Sequence, residues 1–439
     1  MRDSSIKHYQ LFDALHHDSL LAMSFLNEIC GRYPEAISFA PGRPLEDDFN
    51  HELLSQYLET YIDYLRRKLN YSEREIARVL FQYGKTSGII QPLIARHLAN
   101  DEGIIADPDD IVVTVGAQEA MLITLRVFCT STRDVVLVPE PCYVGIVGAA
   151  RLLDITIVPV KETHGTLEVK SVAEACESAR KEGLNPVLLY LVPGYANPSG
   201  VCLSLEARLA LLRYVSEHKL YILEDNPYGL FAREGSATVA TLKSLDSEKR
   251  VIYVGSFSKT CFPGARIGYL YADQHVEGFA GGKRISDVFS SVKSMLTVNT
   301  PPIAQAVIGG MLLQSDCRLT TRNRRNIKRY SDNLLTLAKA LHDNFSDASD
   351  LSREVNWNLP DGGFFTVVNV PFLANAAALE RSAQRFGILW TPMQDFYLEK
   401  GGERSLRLSS SLLSGEEIQQ GIKRFKEFVI SEVALQQHQ

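Results

Sequence analysis

The stretch "VIYVGSFSKTCFPGARIGYLYA", residues 251–272, holds a lone lysine, Lys259, between two short apolar runs. The runs "VIYVGS" and "IGYLYA" have the β-branched and aromatic composition of buried strands. The segment that joins them is too apolar and too rich in glycine to be a solvated surface. The stretch therefore predicts two neighbouring strands of a sheet, with an amine of unusual placement in the loop between them.

Five further runs of the same kind precede this stretch, between residues 111 and 226: "IVVTVG", "VVLVPE", "ITIVPV", "VLLYLVP" and "YILEDN". Segments with helical spacing, such as "SLEARLALLRYVSEH", lie between them. This alternation predicts an α/β fold with a seven-stranded, mostly parallel sheet that helices cover on both faces. Because no helix separates the last two strands, we expect one of them to run antiparallel, on the edge side of the sheet.

The character of the chain changes after "TPP" at residues 300–302. Long charged helices follow, and then "DGGFFTVVNV" and "RSLRLSSS", which are typical of strands in a smaller α+β domain. We expect three parts: an N-terminal arm at 1–50 that packs on the C-terminal part, a large cofactor domain at 51–305 and a small domain at 306–439.

Composition excludes several classes of partner. The 439 residues carry a net charge of −6, from 46 basic and 52 acidic side chains, so nothing favours binding to nucleic acid or to an anionic membrane. No run approaches the roughly 20 apolar residues of a membrane helix, and the N-terminus lacks a signal-peptide core. The seven cysteines form no C-x-x-C pair, which argues against disulfides and structural zinc. We expect a cytoplasmic protein without a metal.

Polar side chains follow the carboxyl ends of several predicted strands, where open α/β sheets bind their ligands. Each has an ordinary structural interpretation when it is taken alone, as a helix cap, a turn residue or a solvated side chain. Their shared position at one edge of the sheet predicts a single site instead. The residues are Gly116, Asn197, Asp225, Tyr228 and Lys259.

An amine, a carboxylate, an amide, tyrosines and an arginine together suit pyridoxal phosphate. A lysine amine can form a Schiff base with it, an aspartate can keep its ring nitrogen protonated, and anion donors can hold its phosphate. The segment "SFSKTCFPGARIGY" closely resembles the lysine signature of class I/II, fold-type I aminotransferases. The segments "YANPSG", "EDNPYG" and "LRLSSS" match further motifs of that family in the family's order, and the resemblance extends from "ISFAPGRP" to residue 427.

The resemblance implies roles for the residues around the cofactor ring. Lys259 would hold the cofactor covalently and then act as the base that moves the proton at the substrate's Cα. Asp225 would pair with the ring nitrogen, and Asn197 and Tyr228 would hydrogen-bond the ring's 3′ oxygen. Tyr143 would stack on the ring face.

The resemblance also implies a phosphate site, and the residues that would hold the phosphate are Ala117, Gln118, Ser256, Ser258 and Arg266. Many relatives have a hydroxyl residue where Ala117 stands, so its contribution would come from the backbone. Arg266 would supply a planar charged fork. Tyr83, in "FQYGKTSG", resembles the tyrosine that reaches the phosphate of the neighbouring subunit, which implies a homodimer with shared active sites.

On the substrate side, Arg407 would bind the α-carboxylate beside Asn197. Gly42 and Arg43 lie in a loop that the family uses near the substrate, and Arg43 is either a binder of a side-chain carboxylate or an ordinary surface arginine. Aromatic residues are expected near the entrance and favour a bulky or long side chain over aspartate: Phe12, Phe39, Tyr143 and Tyr195.

Other interpretations remain open at this point. "SFSK" with "SDN" at 331–333 is typical of serine acyl enzymes, but no K-T-G follows. An aminotransferase-like domain can belong to a transcription regulator, although only about fifty residues precede it here.

The basic run "RLTTRNRRNIKRY" could be a nucleic-acid-binding patch, but it has the spacing of an exposed helix face. The same cofactor can serve elimination, cyclisation or oxidation, but we expect transamination of an L-amino acid with a 2-oxo acid, 2-oxoglutarate foremost.

Overall fold

The structure, a computed structural model, describes residues 28–29, 31–162, 166–278, 282–346 and 354–437. Its strands, in chain order, are β1 (Ile37–Ser38), β2 (Ile111–Thr114), β3 (Asp134–Glu140), β4 (Thr156–Lys161), β5 (Asn185–Leu191), β6 (Tyr221–Asp225), β7 (Val251–Ser256), β8 (Gly268–Tyr271), β9 (His275–Val276), β10 (Lys283–Arg284), β11 (Asn356–Trp357), β12 (Phe365–Asn369), β13 (Ile388–Leu389), β14 (Thr391–Pro392) and β15 (Ser405–Ser409).

The α-helices in the same ranges are α1 (His51–Lys68), α2 (Glu73–Phe81), α3 (Gln91–His97), α4 (Gly116–Phe128), α5 (Val144–Leu152), α6 (Val169–Lys181), α7 (Leu205–Glu217), α8 (Leu242–Leu245), α9 (Ile285–Leu296), α10 (Pro302–Gln314), α11 (Leu319–Arg322), α12 (Arg324–Phe345), α13 (Ala376–Arg381) and α14 (Gly415–Gln437). Several begin at a side-chain cap: Ser204 accepts from the Ala207 amide at the start of α7.

Seven strands form the main sheet, in the order β2-β8-β7-β6-β5-β3-β4. They are the seven strands that the sequence predicts. Strand β8 runs antiparallel to both β2 and β7, and the other neighbouring pairs are parallel. The predicted antiparallel strand is therefore confirmed, and it is second from the edge of the sheet.

Helices cover both faces of this sheet because successive side chains of each strand point to opposite sides. On β6, Leu223 packs with α4, α5 and α9, whereas Ile222 packs with α6 and α7. Near the β2 edge, Tyr253 and Tyr269 lie on the second face against α1, α3 and α10. Burial on both faces explains why the strands read as nearly continuous apolar runs.

A second, antiparallel sheet has the order β11-β12-β15-β14. Its core includes Trp390 together with residues of α12 and α14. The segments "DGGFFTVVNV" and "RSLRLSSS" contribute β12 and β15, as predicted. Strand β1 pairs in parallel with β13, and Phe39 belongs to the same core. The division into three domains at residues 50 and 305 stays a prediction.

Within the described ranges, no helix combines the length and apolar character that crossing a membrane requires.

Candidate active site

A cavity of about 470 Å³ lies where β6 and β7 end, where α4 begins and where the second sheet approaches the first. Gly116 does not line it but directly precedes the lining residue Ala117. Of the residues predicted to bind the cofactor or the substrate, every one except Tyr83 lines the cavity. These residues are Gly42, Arg43, Ala117, Gln118, Tyr143, Asn197, Asp225, Tyr228, Ser256, Ser258, Lys259, Arg266 and Arg407. Strand ends and loops that are far apart in the chain therefore converge on one site, as the strand-end argument predicts.

Lys259 occupies the loop between β7 and β8, and its Nζ donates to the Gly42 carbonyl oxygen over 2.7 Å. Burial and the nearby charges of Arg407 and Arg266 lower the pKa of this amine to about 8. A neutral amine is the nucleophile that a carbonyl compound requires. The site thus keeps Lys259 far closer to its reactive form than a lysine in solvent.

We expect Lys259 of the cofactor-free protein to react with a small acylating reagent in proportion to its neutral fraction. Its modification rate should rise about tenfold per pH unit below pH 8 and level off above it, since only the deprotonated amine reacts. Lys328, whose pKa its neighbour Asp332 raises, is the matched control and should still be gaining reactivity near pH 10. Peptide mass spectrometry measures both sites in one sample, and parallel pH profiles would contradict the prediction.

Asp225 ends β6 and is buried, which raises the pKa of its carboxyl group to about 7. Its Oδ2 accepts from the Tyr190 hydroxyl over 2.9 Å. Its Oδ1 is buried without a hydrogen-bond partner among the residues that the structure describes. A buried carboxylate oxygen in this state needs a donor, because its desolvation is otherwise uncompensated. A protonated ring nitrogen in the cavity would be such a donor, so this residue fits pyridoxal phosphate.

The start of α4 is shaped to receive an anion. Gly116 has φ +73°, and a Cβ at this position would lie 2.5 Å from Arg266 Nη2. A Cβ on Gly268 would lie 2.8 Å from the Ala117 amide nitrogen. The two glycines thus let the guanidinium and the helix start approach each other closely. The first amides of a helix are unpaired and partly positive, so this junction fits a phosphate group.

The other residues of the predicted phosphate group lie around this junction. Ser256 ends β7, and its Oγ accepts from the Ser258 amide over 3.2 Å. Gln118 Nε2 donates to the Gly145 carbonyl oxygen over 2.7 Å, so its amide already has a backbone partner. Arg266 Nη1 lies 3.5 Å from Ser258 Oγ. Together they provide hydroxyl, amide and guanidinium donors on one side of the cavity.

Arg407 comes from the second sheet, on β15 between β12 and β14. Its Nη1 donates to Asn197 Oδ1, and its Nη2 donates to the Ala40 carbonyl oxygen over 2.7 Å and to Thr391 Oγ1 over 3.2 Å. Burial lowers the pKa of its guanidinium to about 10. The contacts with Asn197 and Ala40 fix the guanidinium at the wall of the cavity, where it can bind a carboxylate by donating hydrogen bonds to it.

Two aromatic rings that sequence reasoning missed flank this guanidinium. Its central carbon lies 4.4 Å from the centre of the Phe365 ring and 4.9 Å from that of Phe396. Such contacts stabilise a desolvated cation. Phe365 lies next to Arg407 in space because β12 pairs with β15, and the adjacent "GGFF" segment was the available signal. No sequence pattern indicates Phe396, which reaches the site from a short turn after β14.

Tyr228 and Tyr190 have different surroundings. The Tyr228 ring packs edge-on against Phe364 and Phe365, and burial raises the pKa of its hydroxyl, which therefore remains a proton donor. Tyr190 was not predicted as a site residue. Its signal was a hydroxyl within the fully apolar run "VLLYLVP", since a buried tyrosine hydroxyl usually has a partner.

Two of the four expected entrance aromatics, Phe39 and Tyr195, are wrong. Phe39 is buried in the core of the second sheet, and Tyr195 is buried among Tyr228, Phe231 and other aromatic residues, because both side chains complete apolar clusters. Neither lines the cavity, whereas Tyr143 does. Phe12 lies outside the described residues. Tyr83, the predicted contact to a neighbouring subunit, is 83% exposed and stands away from the cavity of its own chain.

These features define a pyridoxal-phosphate enzyme of fold type I. They are a buried lysine amine, a buried carboxylate oxygen without a donor in the described part of the chain, and an anion site formed at two glycines, all at the ends of strands in a seven-stranded α/β sheet. Residues 57–425 match the family model described as aminotransferase class I and II. The chain belongs to this family, and it is a pyridoxal-phosphate-dependent aminotransferase that transfers the amino group of amino acids.

Individual relatives agree with this assignment. The chain is 45% identical over 421 residues to (S)-3,5-dihydroxyphenylglycine transaminase of Amycolatopsis orientalis, which covers 94% of this chain and 92% of the relative. It is 28% identical to 2-aminoadipate transaminase of Thermus thermophilus, with 89% of each chain covered. The crystal structure of Pyrococcus horikoshii kynurenine aminotransferase superposes with a TM-score of 0.79 at 25% identity, over 96% of both chains.

Proposed function

We propose that the protein transfers the amino group of an L-amino acid with a bulky aromatic side chain to a 2-oxo acid. One observation carries this proposal: the fixed guanidinium of Arg407 and the aromatic side chains of Tyr143, Phe365 and Phe396 line the same cavity. Aromatic walls favour a flat apolar substrate over a small charged one. The relative with 45% identity is named for an arylglycine, which agrees with this substrate class.

For the acceptor we propose 2-oxoglutarate, with Arg43 as the partner of its second carboxylate. Arg43 is exposed, lines the cavity and has no ion-pair partner among the described residues. Its backbone oxygen accepts from Ser411 Oγ over 2.7 Å, which fixes the loop while the side chain remains available. Its charge also contributes to the low pKa of Lys259, so the guanidinium lies within electrostatic reach of the reacting amine.

The roles of the other residues follow from their contacts. When bound, pyridoxal phosphate supplies the electron-withdrawing ring that makes the substrate's Cα proton acidic. Asp225 Oδ1 would accept from the ring nitrogen, and Asn197 and Tyr228 would donate to the ring oxygen. Arg266, Ser256, Ser258, Gln118 and the Ala117 amide would surround the phosphate.

During the reaction, Lys259 Nζ would take the proton from the substrate's Cα and deliver it again on the same side of the site. In the site without cofactor its pKa is about 8, near the neutral pH at which a general base works best. Arg407 would hold the α-carboxylate of donor and acceptor alike, because both substrates carry that group. One site can therefore serve both halves of the exchange.

A donor screen tests the substrate proposal. We expect arylglycines and other aromatic L-amino acids to exceed aspartate in kcat/KM by about tenfold or more, since each buried apolar group adds roughly 1–3 kcal/mol of discrimination. Mass spectrometry of the 2-oxo acid products identifies the accepted donors. Preference for aspartate or another short acidic donor would contradict the aromatic substrate class and leave the family assignment intact.

We also propose a homodimer in which Tyr83 reaches the phosphate site of the partner subunit. Its support is the exposure of large apolar side chains that are costly to leave in water. Within the described ranges, Phe81, Tyr83, Ile105 and Met295 are each at least 80% exposed. Tyr83 sits beyond the end of α2 and has no contact with the cavity of its own chain, which agrees with a role across an interface.

Sedimentation at several protein concentrations tests the assembly. We expect a dimer, and we expect Tyr83→Ala to lower the affinity for pyridoxal phosphate by about ten- to hundredfold, the effect of losing one hydrogen bond to a charged group. Ile430→Ala, an exposed apolar side chain on α14 outside this set, is the control and should leave that affinity unchanged. A fully active, concentration-independent monomer would overturn the proposal.

A cytoplasmic location belongs to the same proposal. Its support is that the six cysteines within the described ranges are all free thiols, as is usual in reducing compartments.

A further inference from the structure

A buried ion pair joins the first turn of α4 to the end of α9. Lys293, near the end of α9, has a fully buried side chain, and its Nζ donates to Glu119 Oε2 over 2.8 Å. Glu119 stands in the first turn of α4, two residues after Ala117. The proposed roles around the cofactor do not involve either residue. A buried lysine of this kind needs a specific reason, because charges are costly to remove from water.

The Glu119 carboxylate joins three parts of the chain. Its Oε2 also accepts from the Val115 amide over 2.7 Å, and its Oε1 accepts from Thr297 Oγ1 over 2.7 Å. Lys293 Nζ donates in turn to Thr297 Oγ1 over 2.8 Å. Both carboxylate oxygens are therefore engaged. They hold the residue before the helix, the helix itself and the end of α9 in one arrangement.

This arrangement fixes the residue that precedes the first turn of α4. The Val115 side chain does not cap α4. The backbone amide of Val115 instead donates to the Glu119 carboxylate. The next amides, of Gly116, Ala117 and Gln118, belong to the unpaired first turn that faces Arg266. Fixing Val115 thus fixes the orientation of the donors that follow it.

The segment after α9, residues 297–300, is fixed by hydrogen bonds at both of its ends. Thr300 Oγ1 donates to the Val113 carbonyl oxygen of β2 over 2.9 Å. Val298, between the two anchored threonines, has φ +63°, a left-handed conformation that is an outlier for a β-branched residue. Such strain persists only where surrounding contacts impose it. The contacts of Thr297 and Thr300 on either side impose it here.

The negative charge of Glu119 also has to be balanced. A carboxylate in the first turn of a helix that binds a phosphate would repel the phosphate, and this repulsion is strong in a buried site. Lys293, which does not line the cavity, balances that charge. The pair therefore allows a carboxylate to hold the helix start without reducing the affinity for an anion.

We propose that Glu119 and Lys293 are positioning residues for the phosphate of the cofactor. They act through the helix start and do not touch the cofactor. This inference rests on the proposed placement of the phosphate beside Arg266. It assigns a role in cofactor affinity to a lysine that lies outside the cavity.

The test measures binding to the cofactor-free protein by calorimetry, with pyridoxal phosphate, inorganic phosphate and pyridoxal as separate probes. Lys293→Met should weaken pyridoxal phosphate and inorganic phosphate about tenfold or more, because it leaves the Glu119 charge unbalanced beside the anion. Pyridoxal, which lacks the phosphate, should change less than twofold. The double variant Glu119→Gln with Lys293→Met removes both charges and keeps an acceptor for Val115, so it should recover most of the affinity.

Controls separate this effect from a general loss of stability. Lys243 is similarly buried and pairs with Asp246 and Asp273, so Lys243→Met should lower stability and leave phosphate affinity unchanged. Thr297→Val keeps both charges and removes the hydroxyl that donates to Glu119 and accepts from Lys293. It should weaken phosphate binding about threefold, which keeps the proposal testable if Lys293→Met does not fold. Equal weakening of pyridoxal and pyridoxal phosphate would overturn the proposal. If Arg266→Ala also leaves phosphate affinity unchanged, the placement of the phosphate is wrong as well.

Discussion

Lys259→Ala is expected to abolish covalent attachment of pyridoxal phosphate and to lower kcat by about 10⁴-fold or more. The substitution removes the only amine among the residues that line the described cavity, and with it the base for the Cα proton, a contribution of up to about 10⁴-fold by itself. Borohydride treatment followed by peptide mass spectrometry should find the reduced cofactor on Lys259 in the native protein and on no lysine in the variant.

Lys328→Ala is the matched control for this experiment. Lys328 is exposed and pairs with Asp332 on the surface of α12, so its removal should leave both cofactor attachment and kcat unchanged. An unmodified Lys259 in a cofactor-saturated, reduced sample of the native protein would contradict the assignment. Equal activity of the native protein and the Lys259 variant would do the same.

Asp225→Asn is expected to lower kcat by about 10²- to 10³-fold. The carboxylate has one oxygen without a partner in the described part of the chain, and asparagine cannot supply the negative charge that keeps a ring nitrogen protonated. Removing one member of a buried charged pair costs roughly 3–5 kcal/mol, and the lower part of this range corresponds to the expected loss of rate. Steady-state kinetics at saturating cofactor and donor measure the effect.

Tyr190→Phe is the control for Asp225. It removes the hydroxyl that donates to the other oxygen of the carboxylate and keeps the ring that fills the core, so kcat should fall less than about tenfold. A Tyr190 variant that loses as much activity as Asp225→Asn would mean that the carboxylate acts through its hydrogen bond within the protein. A fully active Asp225→Asn would show that its charge has no catalytic role.

The sheet and the strand-end residues could be predicted because both depend on local sequence. Strands buried on two faces must be apolar along their length, and their polar residues can stand only where the strand ends, as Asp225 and Ser256 do. Lys259 was visible for the same reason, whereas the role of Arg266 came from the resemblance to the family. Once strands and helices are recognised, the sheet geometry itself brings their ends together.

The second sheet's contribution to the site was harder to predict because it depends on tertiary packing. Phe365 and Phe396 reach Arg407 from β12 and from the turn after β14, and their aromatic character alone is compatible with any core. Phe39 and Tyr195 were wrongly predicted to lie at the entrance of the site. Both pack in buried apolar clusters, although they are close in sequence to site motifs. The Lys293–Glu119 pair was invisible for the same reason, because its partners are 174 residues apart.

The central claim is that the protein transfers an amino group and does not eliminate or oxidise it. The most direct measurement mixes the cofactor-loaded protein with an aromatic amino donor in the absence of any acceptor and quantifies 2-oxo acid, ammonia and oxygen consumption. We expect one 2-oxo acid per active site, no ammonia and no oxygen uptake, with further turnover only when a 2-oxo acid acceptor is added. Continued release of ammonia, or consumption of oxygen, without an acceptor would contradict it.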